Sequence, residues 1–299
     1  MNVMSKAHTA SSRAGGGTAD HYVRRHILHG ASVADALWVD EIFQLETALW
    51  AQLQKLKDRQ WLLSGDENQF GALFDQWKGT PVVDRLLRSR LLYLLAGGNR
   101  VVLRECRRSE RQLFDWYSSL IPDGARFETP LADVLRQARA TFKFDNPARY
   151  NLCLSHRRRV RLNAELNKHF CPQEGWRLIK ATAQRGQLCA AQNMLVWPGL
   201  ELLGCSRSGR RIKNNVTYKV QILNDEHLVI ESETENMTLS YAQAAELLRL
   251  SFARTYASIQ GTDFDDTVRL HDTTSKHFTR RHLFVAMSRC RFADNLAIE

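Results

Sequence analysis

The sequence has few prolines, and its cysteines never form a C-x-x-C pair. Its 299 residues include 6 prolines and 6 cysteines. Because zinc sites usually place cysteines in such pairs, we do not expect zinc, and we expect reduced thiols in an intracellular protein that is cytoplasmic or nuclear and not secreted. No apolar run approaches the ~18 residues of a membrane-spanning helix. The N-terminal segment also lacks the apolar core of a signal peptide.

A phosphate-binding loop is also missing from the sequence. The pattern G-x-x-x-x-G-K-[ST] does not occur, and no glycine is followed by lysine. In that pattern the backbone N–H groups cradle phosphate, and the lysine reaches the terminal phosphates. We interpret the triple glycine Gly15-Gly16-Gly17 as a turn, since Thr18 follows it in place of a lysine. The absence weighs against nucleotide hydrolysis by this chain alone.

Positive charge is in excess. The sequence carries 42 Lys+Arg against 32 Asp+Glu, a formal net charge of +10, and its pI is about 9.5. An excess of this size suggests an anionic partner, most simply nucleic acid. Hydrophobic residues at 44% and charged residues at 25% are typical of a globular protein, and the length accommodates two domains.

Two short apolar runs each lead into acidic residues. Ala36 to Val39 ends at Asp40-Glu41, and Trp61 to Leu63 leads into Gly65-Asp66. The runs predict buried strands, and the leucines between them recur at helical spacing, so the pattern predicts a βαβ unit with parallel strands. Ligands bind beyond the carboxyl ends of such strands. Adjacent Asp and Glu at such a strand end suit nucleotide hydrolysis, because one carboxylate can hold Mg²⁺ while the other orients or deprotonates the attacking water. The alternative is a solvated helix start, where acids complement the dipole.

Read together, the acidic segments resemble motifs II and III of superfamily 1 helicases, in which Asp-Glu is followed one strand later by G-D-x-x-Q. Arg100 to Leu120 is similar to the segment that presents an arginine to the γ-phosphate. Phe252 to Asp265 is similar to motif V, T-x-H-K-x-Q-G-x-E, with Ala257-Ser258 in place of His-Lys. Leu283 to Arg291 is similar to motif VI, V-A-L-[ST]-R-A-R. The order of these segments resembles that of superfamily 1 helicases, and the segment after Gly17 and the expected barrel insertion resemble the RecD-like branch.

The resemblance implies a site for ATP and Mg²⁺. Its catalytic set would comprise an Mg²⁺-holding acid, a water-activating acid, a γ-phosphate sensor and two arginines that stabilise developing charge, which are in that order Asp40, Glu41, Gln69, Arg107 and Arg289. Arginines in such a position contribute about 10³–10⁵ in rate in related enzymes. Three further residues would bind or couple the nucleotide: Asp66, Gln260 and Gly261. A solvated basic helix start is the alternative for Arg107.

Contacts with nucleic acid are implied for two groups of residues. Thr18 to His26 is similar to motif Ia, G-x-T-x-H, with one extra residue before the histidine. A predicted strand, Tyr150 to Leu154, leads into a helix start with four arginines, which oppose the helix dipole and mark a binding surface. A solvated basic face is the alternative. The implied nucleic-acid-binding residues are Thr18, His21, Arg24, Ser155, His156, Arg157, Thr255 and Asp263.

We therefore expect an α/β fold with two RecA-like parallel-sheet domains and a small β-barrel insertion. The first domain, 1–97, would carry motifs Ia, II and III, and the second, 98–299, motifs IV, V and VI with the barrel at about 193–240. The first is expected to be incomplete, since the phosphate loop precedes motif Ia in the family. Further expected elements are helices at Gly71 to Leu95 and Ala242 to Leu250, a strand at Val101 to Leu103 and a polar connection at 121–148.

The resemblance implies an ATP-dependent DNA helicase or translocase with a role in DNA replication or repair. Its partners would be ATP with Mg²⁺ and single-stranded or forked DNA, with RNA as an alternative strand. A missing N-terminal segment or a larger polypeptide is a further expected partner. The alternative function is a non-hydrolysing nucleic-acid-binding remnant or a fragment of a longer helicase.

Overall fold

A computed structural model of the chain describes residues 1–6, 16–72, 75–82, 89–181, 192–205, 212–233 and 235–299. The chain divides into two compact units. The first unit comprises Met1–Arg107 together with Gln260–Thr262, and the second comprises Arg108–Ile259 together with Asp263–Glu299.

The first unit is organised around a four-stranded parallel sheet with the order β2-β1-β3-β4. Its strands are β1 (Asn2–Ser5), β2 (Gly17–Thr18), β3 (Ala36–Val39) and β4 (Gln60–Leu63). Helix α2 (Thr47–Leu53), extended by the 3₁₀ turn Gln54–Leu56, connects β3 to β4 and completes the expected βαβ unit. The predicted leucine stripe packs into the core beside Met4, Leu37, Val39 and Trp50.

The first unit also contains a short helix and one segment that departs from the expected structure. Helix α1 (Ala19–Tyr22) continues as a π-helix, Val23–Leu28. The expected helix from Gly71 is wrong for the residues before α3 (Arg90–Leu95), because Lys78 and Gly79 both have positive φ and turn β5 (Gln76–Trp77) back onto β6 (Thr80–Pro81). Residues 73–74 and 83–88 of that segment lie outside the described residues.

The expected strand at Val101 to Leu103 is also wrong. These residues have no regular structure, and their exposed fractions are 83%, 62% and 89%. A strand requires a neighbouring strand for its backbone hydrogen bonds, and no described strand pairs with this segment. A short apolar run was therefore insufficient evidence for a strand.

The second unit contains a second parallel sheet with the order β15-β7-β16-β17. Its strands are β7 (Tyr150–Cys153), β15 (Ala253–Thr255), β16 (Val268–Leu270) and β17 (Leu296–Ile298). The helices of this part are α4 (Arg111–Ser118), α5 (Leu131–Thr141), α6 (His156–Phe170) and α8 (Arg280–Met287). Trp116 and Tyr117 of α4 are buried in the core. The expectation of a polar connection at 121–148 is wrong for Leu131–Thr141, because these residues form helix α5.

An antiparallel insertion occupies the segment in which a small barrel was expected. Five strands pair in the order β13-β12-β11-β10-β14: β10 (Glu201–Gly204), β11 (Thr217–Leu223), β12 (His227–Glu231), β13 (Asn236–Ser240) and β14 (Leu248–Leu250). A separate pair comprises β8 (Arg177–Ile179) and β9 (Met194–Val196). Helix α7 (Tyr241–Leu247) ends earlier than expected because the buried residues Leu248–Leu250 join the sheet as β14. The fold class, α/β with parallel-sheet cores, is confirmed.

Candidate functional site

Asp40 lies at the carboxyl end of β3, near the middle of the first parallel sheet. Its backbone N–H donates to Met4 O at 2.9 Å, which ties position 40 to β1. Its carboxylate Oδ1 accepts a 2.6 Å hydrogen bond from the Ser64 hydroxyl, directly after β4. Parallel strands end at one edge of a sheet, so the acidic segments after β3 and β4 meet here.

Glu41 has a strained backbone. Its φ of 54° and ψ of 48° lie in the left-handed region, which costs roughly 1–2 kcal/mol for a residue other than glycine. The next residue, Ile42, donates its N–H to Ser64 O at 3.0 Å. Gly65 permits this close approach, because a Cβ there would lie 3.0 Å from Ile42 Cγ1 and 3.1 Å from Ile42 N. Strain held in place by surrounding contacts is common at functional sites.

The loop after β4 brings together three more predicted site residues. Asp66 Oδ1 accepts from the Asn68 N–H at 2.9 Å, and the Gln69 side chain donates to Asp66 Oδ2 at 3.4 Å. Gln260, which belongs to the first unit, donates from Nε2 to Phe70 O at 3.0 Å. Asp66, Gln69 and Gln260 therefore lie around one loop. The neighbouring Gly261 has a φ of +76°, a conformation that favours glycine.

The two arginines expected to stabilise phosphate charge have different environments. Arg107 is 88% exposed and forms a 2.6 Å ion pair with Glu105. Arg289 follows α8 in the second unit and is 1% exposed, and its backbone oxygen accepts from the Phe264 N–H at 2.8 Å. The catalytic role of both arginines stays a prediction.

Asp263 forms an ion pair that the sequence did not suggest. Its Oδ1 lies 2.6 Å from Arg108 Nε, and Arg108 also donates to Ser288 O at 3.2 Å. All three residues belong to the second unit. The ion pair orients the Asp263 carboxylate, and its contact with nucleic acid stays a prediction.

The motif Ia candidates surround the start of α1. Thr18 caps the helix, because its hydroxyl accepts from the His21 N–H at 3.3 Å. The side chains of His21 and Arg24 are exposed. Thr18 therefore has a structural role beside the predicted one.

In the second unit, Ser155 caps α6 by accepting from the Arg158 N–H at 3.1 Å. Arg158 lies beside Asp272 at 3.9 Å, and Arg161 pairs with Glu165 at 3.5 Å. Arg157 is exposed and has no ion-pair partner among the described residues. It is therefore the arginine of this helix start that is best placed to meet an external phosphate.

Two other predicted residues of this region are less exposed. Burial, together with the positive charges of Arg159 and Arg249, lowers the pKa of His156, so its imidazole is neutral near pH 7. Thr255 is 7% exposed. The role of each at nucleic acid stays a prediction.

Sequence reasoning missed Ser64, Trp38 and Lys6. The Trp38 indole donates to Ser64 Oγ at 2.8 Å. Lys6 follows β1, and its Nζ lies 2.7 Å from Glu46 and 3.1 Å from Asp20. Burial lowers the pKa of Lys6, but these hydrogen bonds outweigh burial and raise it. A hydroxyl directly before Gly65-Asp66 was the available signal for Ser64, whereas Lys6 is identified only by its contacts.

The residues present fit Mg²⁺. Asp40 offers hard carboxylate oxygen, and its Oδ2 receives no hydrogen bond from the described part of the chain. Mg²⁺ is usually held by one or two carboxylates together with waters and substrate phosphates. Accordingly, no described group of three or more His, Cys, Asp and Glu residues could hold a metal ion by itself.

The fit to a triphosphate is incomplete. The sequence has no phosphate loop, and the charge of Lys6, at the same edge of the sheet, is compensated by two carboxylates. A nucleotide role for the acids and Gln69 stays a prediction, and the phosphate cradle has no counterpart in this sequence.

Two general properties complete the description. Five cysteines within the described ranges are free thiols: Cys106, Cys153, Cys171, Cys205 and Cys290. Of the helices in those ranges, none has the length and apolar character to cross a membrane.

The structure resembles solved structures of Pif1 helicases. The Pif1 helicase from Bacteroides in complex with ADP-AlF3 and ssDNA has a TM-score of 0.62 and 15% identity, over 100% of this chain and 82% of that chain. A structure of two coordinating Pif1 helicases at forked dsDNA has a TM-score of 0.62 and 14% identity, over 99% and 81%. The Candida albicans Pif1 helicase has a TM-score of 0.58 and 13% identity, over 99% and 84%.

No protein-family model and no curated protein matches the sequence. At the identities found, the structural likeness establishes the fold. The two parallel sheets match the RecA-like domains of those helicases.

Proposed function

We propose that this chain is the motor part of a superfamily 1 DNA helicase or translocase, of the RecD-like kind, which acts on single-stranded or forked DNA with ATP and Mg²⁺. The observation that carries the proposal is the meeting of Asp40-Glu41 with the Ser64–Gln69 loop at one edge of a RecA-like sheet. Structures with the same fold hold ADP-AlF3 and ssDNA. Proposed boundaries remain 1–97 and 98–299, with motifs II and III in the first domain.

The acidic pair supplies the chemistry. Asp40 would hold Mg²⁺, which when bound neutralises charge on phosphate oxygens. Glu41 would orient the attacking water and accept its proton. Gln69 would contact the terminal phosphate, so that the position of the loop after β4 would depend on the bound nucleotide. Because Gln260 is hydrogen-bonded to Phe70 O in that loop, a movement of the loop would also move Gln260. Arg107 and Arg289 would stabilise the developing negative charge.

DNA binding would depend on the basic surface. The net charge of +10 favours association with a phosphate backbone. Arg157 at the start of α6 and Arg24 in the first unit are exposed cations at positions where the motifs predict such contacts. Salt would weaken this binding steeply, because binding releases counterions from the DNA.

The absence of the phosphate loop favours a second candidate, a nucleic-acid-binding chain that does not hydrolyse ATP. Steady-state ATP turnover by the chain with and without single-stranded DNA separates the two. We expect no measurable turnover by residues 1–299. DNA-stimulated turnover that Glu41→Gln abolishes would instead establish a complete hydrolytic site.

Photo-crosslinking tests the DNA path directly. A 4-thiothymidine oligonucleotide is crosslinked to the chain, and the crosslinked peptides are identified by mass spectrometry. The proposal predicts crosslinks in the peptides that contain Ser155 to Arg157 and Thr18 to Arg24. Crosslinks confined to the antiparallel insertion would contradict it.

A further inference from the structure

Ser64 makes three hydrogen bonds to the segment Val39 to Ile42, which contains the acidic pair Asp40-Glu41. Its N–H donates to Val39 O at 3.0 Å, just before Asp40, and its carbonyl oxygen accepts from the Ile42 N–H at 3.0 Å, just after Glu41. Its hydroxyl donates to Asp40 Oδ1 at 2.6 Å. The two backbone bonds continue the pairing of β3 with β4. The hydroxyl bond is additional, since any residue could make the backbone bonds.

The direction of the hydroxyl bond is fixed by Trp38. An indole N–H can only donate, so the 2.8 Å contact from Trp38 Nε1 uses a lone pair of Ser64 Oγ. The single proton of the hydroxyl is then directed to Asp40, because an ionised carboxylate can only accept. Trp38 on β3 and Asp40 directly after it are two positions apart in extended chain, so their side chains point to the same face of the sheet. The two hydrogen bonds therefore have fixed directions: the Trp38 indole N–H donates to Ser64 Oγ, and the Ser64 hydroxyl donates to Asp40.

We propose that Ser64, oriented by Trp38, is a positioning residue for the metal-holding carboxylate of Asp40. The inference rests on the proposed function, in which Asp40 holds Mg²⁺. The hydroxyl occupies Oδ1 and restricts the side-chain rotamer, and Oδ2 would then be the oxygen that holds the metal. Hydrogen bonds to a ligating carboxylate typically change metal affinity by about 10- to 100-fold when they are removed.

The chain offers a matched control for this bond. Thr47 Oγ1 donates to Asp75 Oδ2 at 2.7 Å in the same unit. Thr47→Val therefore removes the same kind of hydroxyl–carboxylate bond from a different carboxylate. Ser64→Thr retains the hydroxyl, and Ser64→Ala removes it.

The test uses ¹H–¹⁵N NMR of the tryptophan indoles in the whole chain. The chain has seven tryptophans, and Trp38→Phe identifies the Trp38 resonance. We expect this resonance to shift in Ser64→Ala and in Asp40→Asn, and to keep its position in Thr47→Val. Unchanged backbone spectra elsewhere show that each variant is folded. A Trp38 resonance whose chemical shift is the same in Ser64→Ala as in the wild type would overturn the hydrogen bond between Trp38 and Ser64.

Mn²⁺ with ADP then serves as a paramagnetic probe, and binding is measured by broadening of the Trp38 indole resonance. Ser64→Ala should need about tenfold more Mn²⁺ than the wild type, while Ser64→Thr and Thr47→Val should follow the wild type. Equal Mn²⁺ requirements in Ser64→Ala and the wild type would overturn the positioning role. No broadening in the wild type, with the Trp38 shifts intact, would overturn the proposed metal site and this role with it.

Discussion

The Gln260 side chain donates to the carbonyl oxygen of Phe70, a residue 190 positions earlier in the sequence. Gln260 is 8% exposed, so the bond is largely shielded from water. It connects the segment that resembles motif V to the residue after Gln69, in the segment that resembles motif III. The hydrogen bond to Phe70 therefore gives Gln260 a structural role that needs no nucleotide.

Gln260→Ala should therefore loosen the loop after β4. Removal of the Gln260 amide takes this donor away from the Phe70 carbonyl, which should lower the free energy of unfolding by about 1 kcal/mol. Hydrogen-exchange mass spectrometry of the peptide that spans residues 66–72 should show faster exchange. Gln137→Ala, a truncation of an exposed glutamine, is the control and should leave that peptide unchanged. Equal exchange in both variants would show that the Gln260 bond does not hold the loop.

Glu41 should be replaceable by glycine with a gain in stability. The left-handed backbone at φ 54° is strained for glutamate and relaxed for glycine. We expect Glu41→Gly to raise the free energy of unfolding by about 0.5–1 kcal/mol, measured by urea denaturation. Lys78→Gly, at φ 49° in the β5–β6 turn, is a matched control and should gain a similar amount. A loss of stability in Glu41→Gly alone would mean that the Glu41 side chain stabilises the fold more than the strain destabilises it.

Acidification should weaken the second unit through His282. Its Nδ1 accepts from the Thr279 N–H at 3.1 Å in the capping box of α8, which requires a neutral ring. Burial, together with the charge of Arg281, lowers the pKa of His282 from 6.5 to about 4. Between these values the unfolded chain binds the proton more tightly than the folded chain, so stability falls as pH decreases through this window.

The comparison variant for this prediction is His282→Gln. Glutamine at the third helical position can accept the same backbone hydrogen bond and does not titrate. Urea midpoints at pH 7.5 and pH 5 should fall further for the wild type than for His282→Gln, while all other titrating groups are common to both. A difference between the two proteins that is independent of pH would refute the role of His282.

Local sequence patterns predicted the elements that local physics controls. The apolar runs before Asp40 and Gly65, with the leucine stripe between them, predicted the βαβ unit because the helix has one apolar face and β3 buries Leu37 and Val39. The expected burial of the second strand is wrong, because β4 lies at the edge of the sheet and no residue of Gln60–Leu63 is buried. Helix α5 was missed although Val134, Leu135 and Ala138 form a buried face, because its sequence was interpreted as part of a proline-containing connection.

Local sequence patterns do not predict contacts between residues that are far apart in the sequence. No periodicity indicates that Ser64 donates to Asp40, because this contact depends on the register of β3 against β4. No local pattern indicates that Gln260 contacts Phe70, because the two residues are 190 positions apart in the sequence. The burial of Arg289 and the ion pair of Arg108 with Asp263 have the same origin. Motif order suggested which residues belong to the candidate site, and the structure supplied the hydrogen bonds that hold several of them.

Binding of fluorescent oligo-dT, followed by anisotropy across a salt series, tests the proposed DNA-binding function most directly. Arg157→Ala should weaken binding and lower the slope of log affinity against log salt by about 0.7, the value for one lost phosphate contact on a single strand. Arg161→Ala removes the same charge from the same helix, but its guanidinium pairs with Glu165, so it should bind nearly as the wild type does. Wild-type binding that is absent or insensitive to salt, or equal losses in both variants, would contradict the account.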